Sequence, residues 1–142
     1  MAGGKSEYLE KALLDHVMGG PDYVRPATVY VALCADVWDD QKTGTTIVEP
    51  TVGAYARVAV TNDDTAWPAS AHPTAECAVK SNGTSIGFPT PTAGWGTVKS
   101  VAVTDAATAG NVLWGGDLVA DKIISTGDPI AFAQGTLTWT EN

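Results

Sequence analysis

Basic residues are scarce in this chain. Eight Lys and Arg stand against 16 Asp and Glu, a formal net charge of -8 at pH 7. Such a chain repels a phosphate backbone, and no local Lys or Arg cluster offsets the repulsion, so nucleic acid is excluded as a partner. An acidic shell does suit contact with a basic protein surface. Cysteine is nearly absent: Cys34 and Cys77 are the only two, neither in a C-x-x-C pair nor beside a histidine tract. Without a secretory leader they read as free thiols packed as small hydrophobes, a disulfide between them being the alternative. The N-terminus, Met1-Ala2-Gly3-Gly4-Lys5-Ser6, lacks an apolar leader core. No run of about 18 apolar residues occurs either. The expectation is a soluble protein made in the cytoplasm, with no membrane contact.

What is present is apolar and rich in turns. With 44% hydrophobic residues, 15 Gly and 8 Pro in 142 residues, the chain suits one domain, residues 1–142, with its own core. From Trp95 to Thr140, short runs of Val, Ile, Thr and Trp alternate with clusters of Gly, Asp, Asn and Pro. That alternation predicts an antiparallel meander. Residues 6–18 predict the one helix: Tyr8, Leu9, Ala12, Leu13, Leu14 and Val17 share a side, Ser6 caps the start, and Gly19-Gly20-Pro21 stops it. Residues 1–5 then form a flexible arm and 27–140 the β core.

Thr28–Cys34 is apolar throughout and predicts a central strand buried on both faces, with the helix packed against it. Asp36–Pro50 predicts a long, polar, mobile excursion. Gly53–Val60 predicts a half-buried strand with Ala54, Ala56, Val58 and Val60 inward and Tyr55, Arg57 and Ala59 outward. Residues 62–91 are broken by prolines and offer two short strands, Glu76–Lys80 and Thr84–Phe88. In the last strand Leu137 and Trp139 oppose Thr136, Thr138 and Thr140. The fold class is mainly β, an antiparallel sandwich or partly closed barrel with one N-terminal amphipathic helix.

The chemistry-bearing patterns reduce to local structure. Gly83-Thr84-Ser85-Ile86-Gly87 matches a nucleophile elbow, but that arrangement needs a histidine after the serine, and both His16 and His72 precede it. A turn between strands accounts for the match. Gly4-Lys5-Ser6 has no strand before it and no first glycine for a phosphate loop. The two histidines and the acidic pairs Asp39-Asp40 and Asp63-Asp64 lack metal-ligand spacing. His16 reads as a residue at the helix C-terminus. Asn82-Gly83-Thr84 satisfies a glycosylation sequon yet reads as a turn. No catalytic residue, cofactor or metal is expected. Of the five tryptophans, core packing should claim about three, Trp95, Trp114 and Trp139, while Trp38 and Trp67 lie in polar loops. Lys5, Trp38, Asp39, Asp40 and Trp67 are the candidate partner contacts, with Asp36–Pro50, Asn62–Ala75 and the arm around them.

Several stretches together carry a resemblance. They are Tyr8-Leu9-Glu10 with Leu13–Gly20, Pro26–Leu33, Gly53 with Tyr55-Ala56-Arg57, Phe88-Pro89-Thr90 with Trp95–Val98, and Asp105–Thr108 with Gly110-Asn111 and Gly127-Asp128. From about Tyr8 to Trp139 the chain resembles a family of small tailed-bacteriophage virion proteins, usually labelled tail-fibre-like or structural. Val37–Val48 and Ala66–Asn82 depart from the family's usual pattern. The resemblance implies a non-enzymatic virion building block present in many copies. Elongated repeats and coiled-coil heptads are missing, and a compact acidic domain with polar loops suits capsid decoration. The favoured expectation is therefore a decoration or cement protein on the capsid surface, trimeric, binding the major capsid protein. The alternative is a tail-fibre or tail-associated structural module, or one that binds a receptor or glycan.

Overall fold

Val29–Cys34 is apolar at every step because both faces of the sheet it joins are covered. The computed structural model describes residues 2–74 and 77–141. In chain order its elements are β1 (Ala2–Lys5), α1 (Glu7–Val17), β2 (Thr28–Cys34), β3 (Val58–Thr61), β4 (Ala71–Thr74), β5 (Cys77–Ser81), β6 (Ile86–Gly87), β7 (Gly96–Thr104), β8 (Val112–Ile124), β9 (Ala131–Phe132) and β10 (Thr138–Glu141). They build a five-stranded sheet in the order β1-β8-β7-β2-β3, a three-stranded sheet β10-β5-β4 and a β6-β9 pair. Every pairing is antiparallel. The protein is mainly β, as expected, with open, sandwich-like sheets rather than a closed barrel.

Alternation divides the large sheet's side chains between its faces. Val29, Val31 and Leu33 of β2, with Val101 and Val103 of β7, pack toward the smaller sheets with Ile86, Phe88, Leu137 and Trp139. Ala32, Cys34, Ala102 and Val112 point the other way and pack with Ile47 and Trp38. Residues 36–50 are thus a cover over the second face and not a mobile excursion: Ile47 is 7% exposed, and Ala35 N–H donates to Val48 O at 2.7 Å. The apolar residues hidden among its polar ones supply the reason.

The helix forms where its caps place it. The Ser6 hydroxyl accepts from Leu9 N–H at 3.2 Å, and Gly19 (φ 84) carries the left-handed exit. Ser6 is fully buried, its hydroxyl donates to Val112 O, and its N–H donates to Leu113 O at 2.9 Å. These bonds seat α1 on β8 rather than on β2. Of the expected apolar side, Leu9 is buried and Leu13 packs beneath, whereas Leu14 and Val17 are 67% and 72% exposed. Ser6→Ala should cost about 1–2 kcal/mol, because it removes a cap and a buried bond together. Urea unfolding checks this, and an unchanged midpoint would refute it.

Several boundaries differ from the sequence expectation. Residues 2–5 are not an arm but edge strand β1, paired from Ala2↔Asp117 to Lys5↔Trp114; Met1 lies outside the described residues. The middle strand is β7, with β2 beside it. Gly53 (φ 69) and Ala54 (φ 63) turn the chain, so only Val58–Thr61 is strand. Before it the inward residues are Tyr55 and Arg57, while Ala54 and Ala56 are exposed, because polar bonds decide that stretch. The two short strands of residues 62–91 appear as β5 and β6, joined by β4; Glu76 and Ala75 lie outside the described residues. The meander holds only for the β7–β8 hairpin, after which β9 and β10 leave for other sheets.

Candidate functional site

Glu49 and Arg57 meet under the cover segment, with side chains 19% and 3% exposed. Arg57 Nη2 donates to Glu49 Oε2 at 2.8 Å and Gly44 O at 2.9 Å, and Nε donates to Glu49 Oε1 at 3.0 Å. Nη1 reaches Thr104 Oγ1 at 3.1 Å and the carbonyls of Ala106 and Ala109, both at 2.9 Å. Tyr55 OH donates to Glu49 Oε1 at 2.7 Å and accepts from Leu33 N–H at 2.9 Å. Burial, then the adjoining Glu49 carboxylate, raises the Tyr55 hydroxyl's pKa well above its ordinary 10.0. All three guanidinium nitrogens donate to fixed acceptors, an arrangement that joins segments rather than performing chemistry.

One joined segment is the β7–β8 turn. Asp105 accepts from Asn111 N–H at 2.7 Å and from Asn111 Nδ2 at 2.8 Å. Ala109 (φ 50) and Gly110 (φ 73) are left-handed there. The Tyr55–Arg57 and Asp105–Asn111 stretches, far apart in sequence, therefore converge on one hub.

A second feature is a row of small residues. Ala32 pairs with Ala102, Ala102 with Gly115, and Gly115 with Gly4. The row makes a flat floor on the covered face, and the Trp38 indole lies on it: a Cβ built on Gly115 would fall 1.9 Å from Trp38 Cε3. Asp117 Oδ1 accepts from Trp38 N–H at 2.7 Å and fixes the ring's root. Beside the floor, burial and then Asp36 and Glu49 push the Cys34 thiol from 9.0 up to about 12. The folded state therefore keeps a proton that the unfolded chain loses first. Stability is fully present below pH 9 and falls as pH rises toward 12, by about 1.4 kcal/mol per unit. Tyr55 adds a loss of the same sign only above its ordinary 10.0. Cys34→Ala should flatten the stability–pH curve between about pH 9 and 10. Urea titrations across that range check it, and an unchanged slope would exclude the thiol as the cause.

The candidate contacts from the sequence do not form one site. Lys5 pairs with Glu141 and sits 5.5 Å over the Trp114 ring. Asp39 and Asp40 are exposed; Asp39 Oδ1 accepts from Gln41 N–H at 2.8 Å, and Asp40 O accepts from Glu7 N–H at 2.9 Å. Trp38 is half-buried on its glycine floor. Trp67 is only 7% exposed and packs in the main core, lining a cleft of about 260 Å³ with Trp114 and Trp139. Its loop is polar, but the ring turns inward. Sequence reasoning missed the hub; the neighbouring Tyr55 and Arg57, with a lone Glu49 upstream, were the available signal.

The discounted motifs take the forms expected of local structure. Ser85 precedes β6 with no helix after it. Asn82 is 1% exposed, its amide nitrogen donating to Thr84 O and Ala133 O, so its sequon is buried. His16 Nδ1 accepts from Tyr23 N–H at 3.1 Å, closing the loop after α1. Both cysteines are free thiols. Among the described residues no group of three His, Cys, Asp or Glu could hold a metal ion, and no helix is long and apolar enough to cross a membrane.

No curated protein matches the chain. The model of one protein family, described as Podophage GP4 fiber I protein gp80, matches residues 4–140. That span takes in the Tyr55–Arg57 hub, the Asp105–Asn111 turn and the glycine floor. The chain belongs to this fibre-protein family and is a phage virion structural protein of tail-fibre-like kind.

Proposed function

We propose that this protein is a non-enzymatic structural subunit of a phage fibre or tail-associated assembly, with tail proteins as its partners, rather than a decoration of the capsid shell. The family match across residues 4–140 carries the reading, since it spans nearly the whole folded unit. Two segments expected as partner contacts have other structural roles: residues 36–50 cover the large sheet, and residues 2–5 form β1. The polar side chains of Arg57, Glu49 and Asn82 are consumed inside the fold, which suits a rigid building block. Immunogold labelling of intact particles tests the assignment. Label on fibres or the tail is expected, and label spread over the shell would return the decoration reading.

A further inference from the structure

The β7–β8 hairpin carries an irregularity of which the core takes up Leu118 and leaves Val119 outside. Lys122 pairs with Val98 and Asp117 with Ser100, so Leu118–Asp121 bulge out opposite Lys99 alone. Val119, on this bulge, is 94% exposed, and Ile123 just beyond it is 72% exposed. Beside the bulge lies an apolar hollow of about 320 Å³, walled by Leu33, Val98, Ile124, Ile130 and Phe132, with Lys122 as the charged residue of its lining. An exposed apolar knob and an apolar hollow thus share one face, and Val119 forms part of the rim of the hollow it adjoins.

We infer that this face is a homodimer contact, in which the 118–121 bulge of each copy enters the hollow of the other about a two-fold axis. A knob at the rim of its own hollow is self-complementary, and between two copies a two-fold axis fills both knobs and both hollows at once. Charge selects the same face. Two chains of net charge -8 repel, and a contact must form where the charge balances. The exposed side of α1, with Leu14 and Val17, also carries Glu7, Glu10 and Asp15 against Lys11 alone, so two copies would meet there acid to acid. On the hairpin, Asp121 of one bulge would face Lys122 of the second copy, the charged residue of the hollow's lining. The inference concerns self-association only and stands independently of where on the particle the protein sits.

Sedimentation equilibrium on the full chain tests it. The expected result is a concentration-dependent dimer that Val119→Asp weakens at least about thirtyfold, as loss of a central anchor does. Thermal unfolding of that variant, measured at a concentration where both proteins are monomeric, should be nearly unchanged, because the side chain is exposed. Asp121→Lys and Lys122→Asp should each weaken the dimer, and the double variant Asp121→Lys/Lys122→Asp should restore it. Leu14→Asp on α1 should leave it intact. A monomer at every attainable concentration, a trimer, or an assembly insensitive to Val119→Asp but broken by Leu14→Asp would overturn the inference.

Discussion

Arg57→Ala should lower stability by about 3–5 kcal/mol, because it strands the Glu49 carboxylate in a site built around a cation. Glu49 would keep only the Tyr55 hydroxyl at 2.7 Å and lose every charged partner it has there. The carbonyls of Gly44, Ala106 and Ala109 would lose their guanidinium donors in the same step. In a domain of this size the thermal midpoint should fall by roughly 10 °C. Arg57→Lys should recover little, since one ammonium cannot reach acceptors on three segments at once. Glu49→Gln should cost less than Arg57→Ala, because an amide oxygen still accepts from Tyr55 and Arg57. Urea unfolding of the three variants orders them, and a loss under about 1 kcal/mol for Arg57→Ala would mean that the pair behaves like a solvated surface bridge.

The same hub marks the limit of what the sequence could tell. Patterning located α1, β2 and the β7–β8 hairpin, because caps, apolar runs and turn residues are local signals. It reversed the side chains of residues 54–57, because strict alternation ranks Ala above Tyr and Arg as outward-facing only when a partner for the polar atoms is known. Glu49 lay in a stretch read as a solvent loop, so no partner was visible. The cover segment failed for a related reason: Trp38 and Ile47 are single apolar residues among acids and threonines, and the floor that receives Trp38 is built from four strands that no local window spans. Trp67 shows the converse, a ring drawn into the core from a polar loop. The bulge at 118–121 was unreadable because it arises from register against β7, which composition does not encode.

Gly115→Ala should cost about 3 kcal/mol, near the top of the range for overpacking, even though it adds a single methyl group. The new carbon would lie within 2.0 Å of both Cε3 and Cζ3 of Trp38, and one of the two must give way. The backbone of β8 cannot retreat, since β1 and β7 hold it from either side at Gly4 and Ala102. The indole must therefore swing off the floor about its side-chain torsions, while the Trp38 backbone N–H stays bonded to Asp117, uncovering Ala32, Ala102 and Ile47. Its fluorescence should shift to the red, while Trp67, Trp95 and Trp139, all at most 7% exposed, stay unchanged. A double-mutant cycle isolates the cause. In a Trp38→Ala background the floor is already empty, so Gly115→Ala should cost little, giving a coupling of about 1–3 kcal/mol. Strictly additive losses would show that the glycine is needed for its backbone and not for the ring above it. The β-region pairing of Gly115 with Ala102, which any residue can adopt, argues that the ring decides.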